Sequence, residues 1–301
     1  MGLSDCIHCV FPDRDMRQNT VLCAALDGTG LYRMAYTEWG DPTNPKVLLC
    51  VHGLTRNGRD FDYLAQQLAK DYRVVCPDVV GRGASDWLQK PEGYGFPQYV
   101  ADMVTLIARL DVKELHWLGT SMGGLIGMLL ASMERSPITR LILNDVGPVI
   151  SNDSLRRIGD YVGGQPSFSS PEEAEAYIRQ ISAPFGPLND TQWAFLARHS
   201  ITRREDGLWH MHYDPAIGEP FKLGFMMHQD VILWPYYDAI RCPTLVIRGA
   251  ESDLLSRESL EEMSLRGPRA WTREIPGVGH APMFLDDAQV GVVREFLLGG
   301  A

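Results

Sequence analysis

The sequence predicts an α/β fold, with a mostly parallel sheet and helices on both faces. Three observations carry this. Apolar runs of strand length alternate with amphipathic runs of helical length, the order of βαβ units. The apolar runs are continuous rather than alternating, as strands covered on both faces require. The 301 residues, 45% apolar and 22% charged, have an ordinary globular composition and enough chain for a large core.

The elements follow in order. TVLCAAL and LYRMAYTEW, within residues 20–39, read as two strands joined by the hairpin turn Asp27-Gly28-Thr29-Gly30. Val47-Leu48-Leu49-Cys50-Val51 is the first fully apolar strand. FDYLAQQLAKD has Phe61, Leu64, Ala65 and Leu68 at helical spacing. YRVVCPDV is another buried strand, and YVADMVTLIARLD a helix with Val100, Met103, Val104, Ile107 and Leu110 on one face. ELHWLGTS, MGGLIGMLLASME and ITRLILNDVG read as strand, helix and strand. From about Val149 to Asp238 the alternation stops, and helical fragments such as PEEAEAYIRQIS and LNDTQWAFLARHS lie among turns. It resumes with PTLVIRG, SRESLEEMSLRG, WTREIPG and a final helix, DAQVGVVREFLLG. The chain therefore divides into a first core part (1–147), an inserted helical segment (148–238) and a second core part (239–301).

Charge and cysteine usage exclude several classes. With 28 basic against 38 acidic side chains the net charge is −10, which argues against a nucleic-acid partner. Of six cysteines, Cys50, Cys76 and Cys242 fall in apolar strand-like runs, where a reduced thiol acts as a small hydrophobe. Cys6 and Cys9 form a lone CIHC pair without the second pair a zinc site needs, so they read as part of a tail. The first residues, with Asp5, Asp13, Arg14, Asp15 and Arg17, hold no apolar signal run, and no stretch approaches the ~20 apolar residues of a membrane span. A soluble, cytoplasmic protein is expected, with no metal.

Gly119-Thr120-Ser121-Met122-Gly123 fits G-x-S-x-G between a strand and a helix, the setting of a nucleophile elbow. Its glycines permit a tight turn, and the serine falls at a helix N-terminus that favours developing negative charge. His280, in GVGHAP after the last strand, is the candidate base, because it completes the order serine, acid, histidine. Asp253, after PTLVIRG, is the favoured acid, with Asp145 at the end of the preceding strand as second choice. The N–H groups of Leu54 and Met122 are the candidate oxyanion donors, with Gly53 allowing close backbone approach. His52 orients this loop by default. Arg56 reads as a solvated residue within reach of an anionic substrate.

With these residues placed, the chain resembles the α/β-hydrolase superfamily along nearly its whole length. The motifs that carry the resemblance are HGLTRNGRDF (52–61), PDVVGRGASD (77–86), GTSMGG (119–124), RGAESDLL (248–255) and GVGHAP (277–282). It implies an eight-stranded, mostly parallel sheet and a helical cap inserted after the sixth strand. It also implies Ser121 as nucleophile, Asp253 as acid, His280 as base, and Leu54 and Met122 as oxyanion donors. A serine nucleophile departs from the dehalogenase and epoxide hydrolase branches, which use aspartate. The chain looks like the capped carboxylesterases, enol-lactonases and C–C bond hydrolases.

Ester hydrolysis through an acyl-enzyme, without cofactor, is the simplest use of this set. The inserted segment would choose the substrate: Trp193, Phe195, Phe221, Met226, Met227, Trp234 and Tyr236 supply apolar surface there. Trp193, Met227 and Trp234, with His52, Gly53 and Arg56, are the candidate substrate contacts. A hydrophobic or aliphatic ester, or a polyester oligomer, is expected. The alternatives are an enol-lactonase, a C–C hydrolase using Arg56 or His199 as polarising group, an acyltransferase, and a small-ligand receptor.

Overall fold

The computed structural model describes residues 16–220 and 229–299. β1 (Arg17–Ala24) and β2 (Leu31–Trp39) form the expected hairpin, closed by Ala25 N–H donating to Gly30 O at 2.9 Å. β3 (Lys46–Val51), α1 (Asp62–Leu68), β4 (Arg73–Pro77), α2 (Phe96–Leu110), β5 (Glu114–Thr120), α3 (Met122–Ala131) and β6 (Ile138–Asn144) follow. The inserted segment contributes α4 (Asn152–Tyr161), α5 (Pro171–Ile181), α6 (Asp190–Ser200) and α7 (Trp234–Ala239). β7 (Thr244–Gly249), α8 (Arg257–Leu265), β8 (Trp271–Ile275) and α9 (Asp287–Leu298) complete the chain.

The eight strands form one sheet in the order β1-β2-β4-β3-β5-β6-β7-β8, and β2 alone runs against its neighbours. The continuous apolarity of β3 has the cause read from its sequence, since both faces are covered. Leu48 and Cys50 join the layer under α1 and α9, with Leu64, Leu68, Val293 and Phe296. Val47, Leu49 and Val51 alternate onto the other face, with Met103 and Leu106 of α2 and Ile126 of α3. Cys50 and Cys76 are buried free thiols, and Cys242 is half-buried and free. Among the described residues no helix is long and apolar enough to cross a membrane. Cys6 and Cys9 lie outside the described residues.

Two helices of the inserted segment, α4 and α7, carry little sign in the sequence. α4 is rich in Asp and Arg, yet Leu155, Ile158 and Tyr161 recur at helical spacing, and the Ser151 side chain caps its start. α7 is only six residues long. A small sheet of Ser167–Phe168, Trp209–Met211 and Ile201–Arg203 joins the helices. The core grips this segment at several points: Asn57 Nδ2 donates to His199 O at 2.7 Å, and Gly83 N–H to His212 O at 3.0 Å.

The turn from β5 into α3 matters most for the site. Ser121 sits at φ 51°, in a region few L-residues adopt. A Cβ on Gly119 would strike the Gly123 carbonyl, and one on Gly123 the Val51 carbonyl. The two glycines of G-x-S-x-G thus let the start of α3 pass against the end of β3. Gly123→Ala should cost about 2–3 kcal/mol, because the obstacle is backbone rather than a side chain that can move aside. It should appear as a lower urea midpoint at unchanged slope. An unchanged midpoint would refute this account of the turn.

Candidate active site

The carboxyl ends of β3, β5, β6 and β8 converge on one cluster, the edge where parallel α/β sheets place their chemistry. Ser121 follows β5. His280, in the loop after β8, holds its Nε2 3.1 Å from Ser121 Oγ. Its Nδ1 lies 2.7 Å from Asp145 Oδ2, just beyond the end of β6. A carboxylate can only accept, so Nδ1 carries the ring proton and Nε2 is free to accept from the serine hydroxyl.

The histidine's partner is therefore Asp145 and not Asp253. The Asp253 side chain is 54% exposed and ion-pairs with Arg157 on α4. Asp145 is fully buried, at φ 53°. Its Oδ1 accepts from Gly249 N–H at 2.8 Å, and its Oδ2 from Ser252 Oγ at 2.6 Å. The loop after β7, where the acid was expected, instead supplies donors that hold the carboxylate of the neighbouring strand. With both oxygens bonded, Asp145 cannot swing away from the imidazole.

The two expected donors, the Met122 and Leu54 N–H groups, each follow a carbonyl that is held by hydrogen bonds. Peptide planarity means that fixing one carbonyl fixes the N–H on the far side of that peptide. The Ser121 carbonyl accepts from Gly124 N–H at 2.9 Å and Leu125 N–H at 3.0 Å, which turns the Met122 N–H the other way. Met122 opens α3, so its N–H has no acceptor within the helix. The Gly53 carbonyl accepts from Arg56 N–H at 3.1 Å and from the His52 ring at 2.7 Å, which orients the Leu54 N–H.

His52 is fully buried and does not reach the cavity, which corrects its place among the substrate contacts. Its Nε2 accepts from Val79 N–H at 3.0 Å, so Nδ1 must donate to Gly53 O. This needs a neutral ring, and burial pushes its pKa down to about 3.

A cavity of about 570 Å³ opens beside Ser121 and His280. Leu54, Gly53, Leu125 and Val146 from the core line one side, and Leu155, Ile158, Ile178 and Phe185 from the inserted segment the other. The stripe of α4 that went unread supplies part of this wall. Arg56 also lines it, but is not solvated: it grips Asp60 through two bonds of 2.9 and 2.6 Å and donates to Ser200 Oγ at 2.7 Å. Its charge is already matched, so it ties the β3 loop to α6 rather than waiting for an anion. His199 is half-buried against Phe195, and burial lowers its pKa to about 3, so it is not a cation either.

Two aromatic candidates fall away from the cavity. Trp193 is buried with Phe195, Leu196, Met283 and Leu285. Trp234 lies beneath the Arg266 guanidinium, 4.3 Å from its ring. Both were singled out by side-chain type, which does not say which way a helix turns. Phe221, Met226 and Met227 lie outside the described residues. Among the described residues no cluster of His, Cys, Asp or Glu has the arrangement of a metal site.

A family model described as the alpha/beta hydrolase fold matches residues 46–287. The 3-hydroxybutyrate-oligomer hydrolase of Cupriavidus necator is 51% identical over 276 residues, covering 90% of this chain and 94% of that relative. A solved structure from Rickettsia typhi matches with a TM-score of 0.87 at 33% identity, over 95% of this chain and 99% of that one. An alpha/beta hydrolase structure from Novosphingobium aromaticivorans matches with a TM-score of 0.82 at 34% identity, over 94% of this chain and 98% of that one.

Two outcomes are expected from this geometry. Asp145→Asn should slow labelling of Ser121 by a fluorophosphonate by about 10³–10⁴-fold, since the amide stabilises the wrong tautomer, while Asp253→Asn labels at the wild-type rate. The reverse ranking would restore Asp253 as the acid. The His52 ring should titrate near pH 3 rather than 6.5, read by NMR of its ring protons. A normal midpoint would mean that the Val79–His52–Gly53 relay is not formed.

Proposed function

The chain belongs to the α/β-hydrolase fold family, and from that premise we propose that it is a serine-dependent hydrolase of aliphatic carboxylic esters, acting on short oligoesters of 3-hydroxybutyrate. The observation that carries this is the continuous chain Asp145–His280–Ser121, opening onto a largely apolar cavity. The oligoester substrate comes from the relative in Cupriavidus necator. It suits a cavity whose walls are mainly aliphatic and aromatic and whose Arg56 and Asp60 neutralise each other.

In this reading Ser121 Oγ attacks the ester carbonyl as His280 Nε2 removes its proton. The charge that forms on the carbonyl oxygen is held by the Leu54 and Met122 N–H groups. Asp145 keeps the imidazole in place and stabilises its charged form. His280 returns the proton to the departing alcohol, then activates a water that releases the acid. These steps use the Ser121, His280 and Asp145 side chains, two backbone N–H groups and water. Residues 148–238 serve as the cap, and α4 and α5 supply the apolar wall over the nucleophile. The buried free thiols of the core strands, Cys50 and Cys76, suit a reducing cytoplasm.

The test is turnover of 3-hydroxybutyrate dimer and trimer, with p-nitrophenyl butyrate as a simple ester, by wild type and Ser121→Ala. Wild type should cleave all three, and Ser121→Ala should lose about 10³-fold or more. Equal rates in the two proteins would sink the serine mechanism. Turnover of p-nitrophenyl butyrate alone would leave an esterase with a different natural substrate.

A further inference from the structure

Arg82 has no part in the chemistry above, yet it is among the most deeply buried large side chains, with none of its surface exposed. Taking a guanidinium out of water is costly unless its charge is matched. Among the described residues, every acceptor it meets is neutral. Nε donates to Leu54 O at 2.8 Å, and Nη1 to Val80 O at 2.7 Å and Tyr99 Oη at 3.1 Å. Nη2 points at Met122 Sδ, 3.7 Å away. The group also stacks on the Tyr99 and Tyr94 rings, at 5.1 and 5.8 Å from their centroids. The cation thus touches both residues whose N–H groups would hold the oxyanion, Leu54 at its carbonyl and Met122 at its sulfur.

The local sequence is shaped to put it there. Arg82 lies between Gly81 at φ 83° and Gly83 at φ 53°, both left-handed. A Cβ on Gly81 would strike the Tyr94 ring, and one on Gly83 the Asp78 carboxylate. The backbone is pinned as well. Arg82 pairs with Tyr213 in an isolated antiparallel bridge, and Asp214 N–H donates to Gly81 O at 2.7 Å. One residue therefore joins the inserted segment, through its backbone, to the Leu54 loop and the start of α3, through its side chain.

We propose that Arg82 is a positioning residue for the oxyanion hole: its guanidinium holds the Leu54 carbonyl and the Met122 side chain, and with them the two residues that carry the donors, and its unmatched positive charge lowers the energy of the oxyanion forming beyond them. A fixed charge in a dry site acts over a few ångströms with little screening. Its contribution is small in the ground state, where the carbonyl is neutral, and large once the oxygen is charged. It should therefore appear in kcat rather than KM. This rests on the reading of Leu54 and Met122 as oxyanion donors around an acylated Ser121.

The experiment compares wild type with Arg82→Lys, Arg82→Gln and Arg82→Met, each counted by fluorophosphonate titration of Ser121 so that rates are per intact site. Hydrolysis of p-nitrophenyl butyrate should fall on the order of ten- to a hundredfold in kcat for Gln and Met, with KM near wild type and Lys falling less. Inhibition by butylboronic acid, which forms a negatively charged tetrahedral adduct on the serine, should weaken in parallel with kcat/KM across the series. Should Arg82→Met fail to fold, Arg82→Lys carries the test, since it keeps the charge but loses the fork. Fewer titratable sites at unchanged kcat per site would reduce Arg82 to a structural prop and overturn the proposal. So would boronate affinity that does not move. If wild-type Ser121 takes up neither probe, the serine reading itself fails and takes this one with it.

Discussion

The site depends on how closely the first turn of α3 passes the end of β3. Only glycine at 119 and 123 allows that approach, because side chains there would meet the backbone of Gly123 and Val51. The approach sets Ser121 in its left-handed turn and leaves its hydroxyl exposed to the histidine. It also sets the loop after β3 beside the turn after β5, where a Cβ on Gly53 would lie 3.8 Å from Ser121 Cβ. A looser contact would move the Leu54 loop away from the nucleophile.

Around this contact the same device recurs. Groups beside Ser121 are held by hydrogen bonds to their neighbours. The Ser121 and Gly53 carbonyls are tied by hydrogen bonds, and each fixes the plane of the peptide that carries the next N–H. His52 must be neutral to do its share, and burial keeps it so. Asp145 is held by Gly249 and Ser252 before it meets His280. Preorganisation of this kind is already in place when charge develops, so little reorganisation is needed at the moment of reaction.

Much of this was legible in the sequence. The strand–helix alternation, the hairpin at Asp27–Gly30 and the serine–histidine pair rest on local patterns, and local patterns survive folding. The acid was misread because Asp145 and Asp253 each follow a strand of the same sheet. Which of two carboxylates turns toward the histidine depends on a left-handed turn at 145 and on donors more than a hundred residues away. Arg56 was misread for a related reason: its partner Asp60 is visible in sequence, but its contact with Ser200 is not. Trp193 and Trp234 offer aromatic surface in the sequence, while the cavity wall is built by Leu155 and Ile158, on a helix whose charged face masks its apolar stripe.

The most direct measurement is a crystal structure of wild type carrying a butylphosphonate bonded to Ser121 Oγ. The account predicts one phosphonyl oxygen at about 2.7–3.1 Å from both the Leu54 and Met122 nitrogens, with the butyl chain in the cavity under α4 and α5. An adduct whose oxygen turns away from those two N–H groups, or whose chain lies outside the cavity, would contradict it.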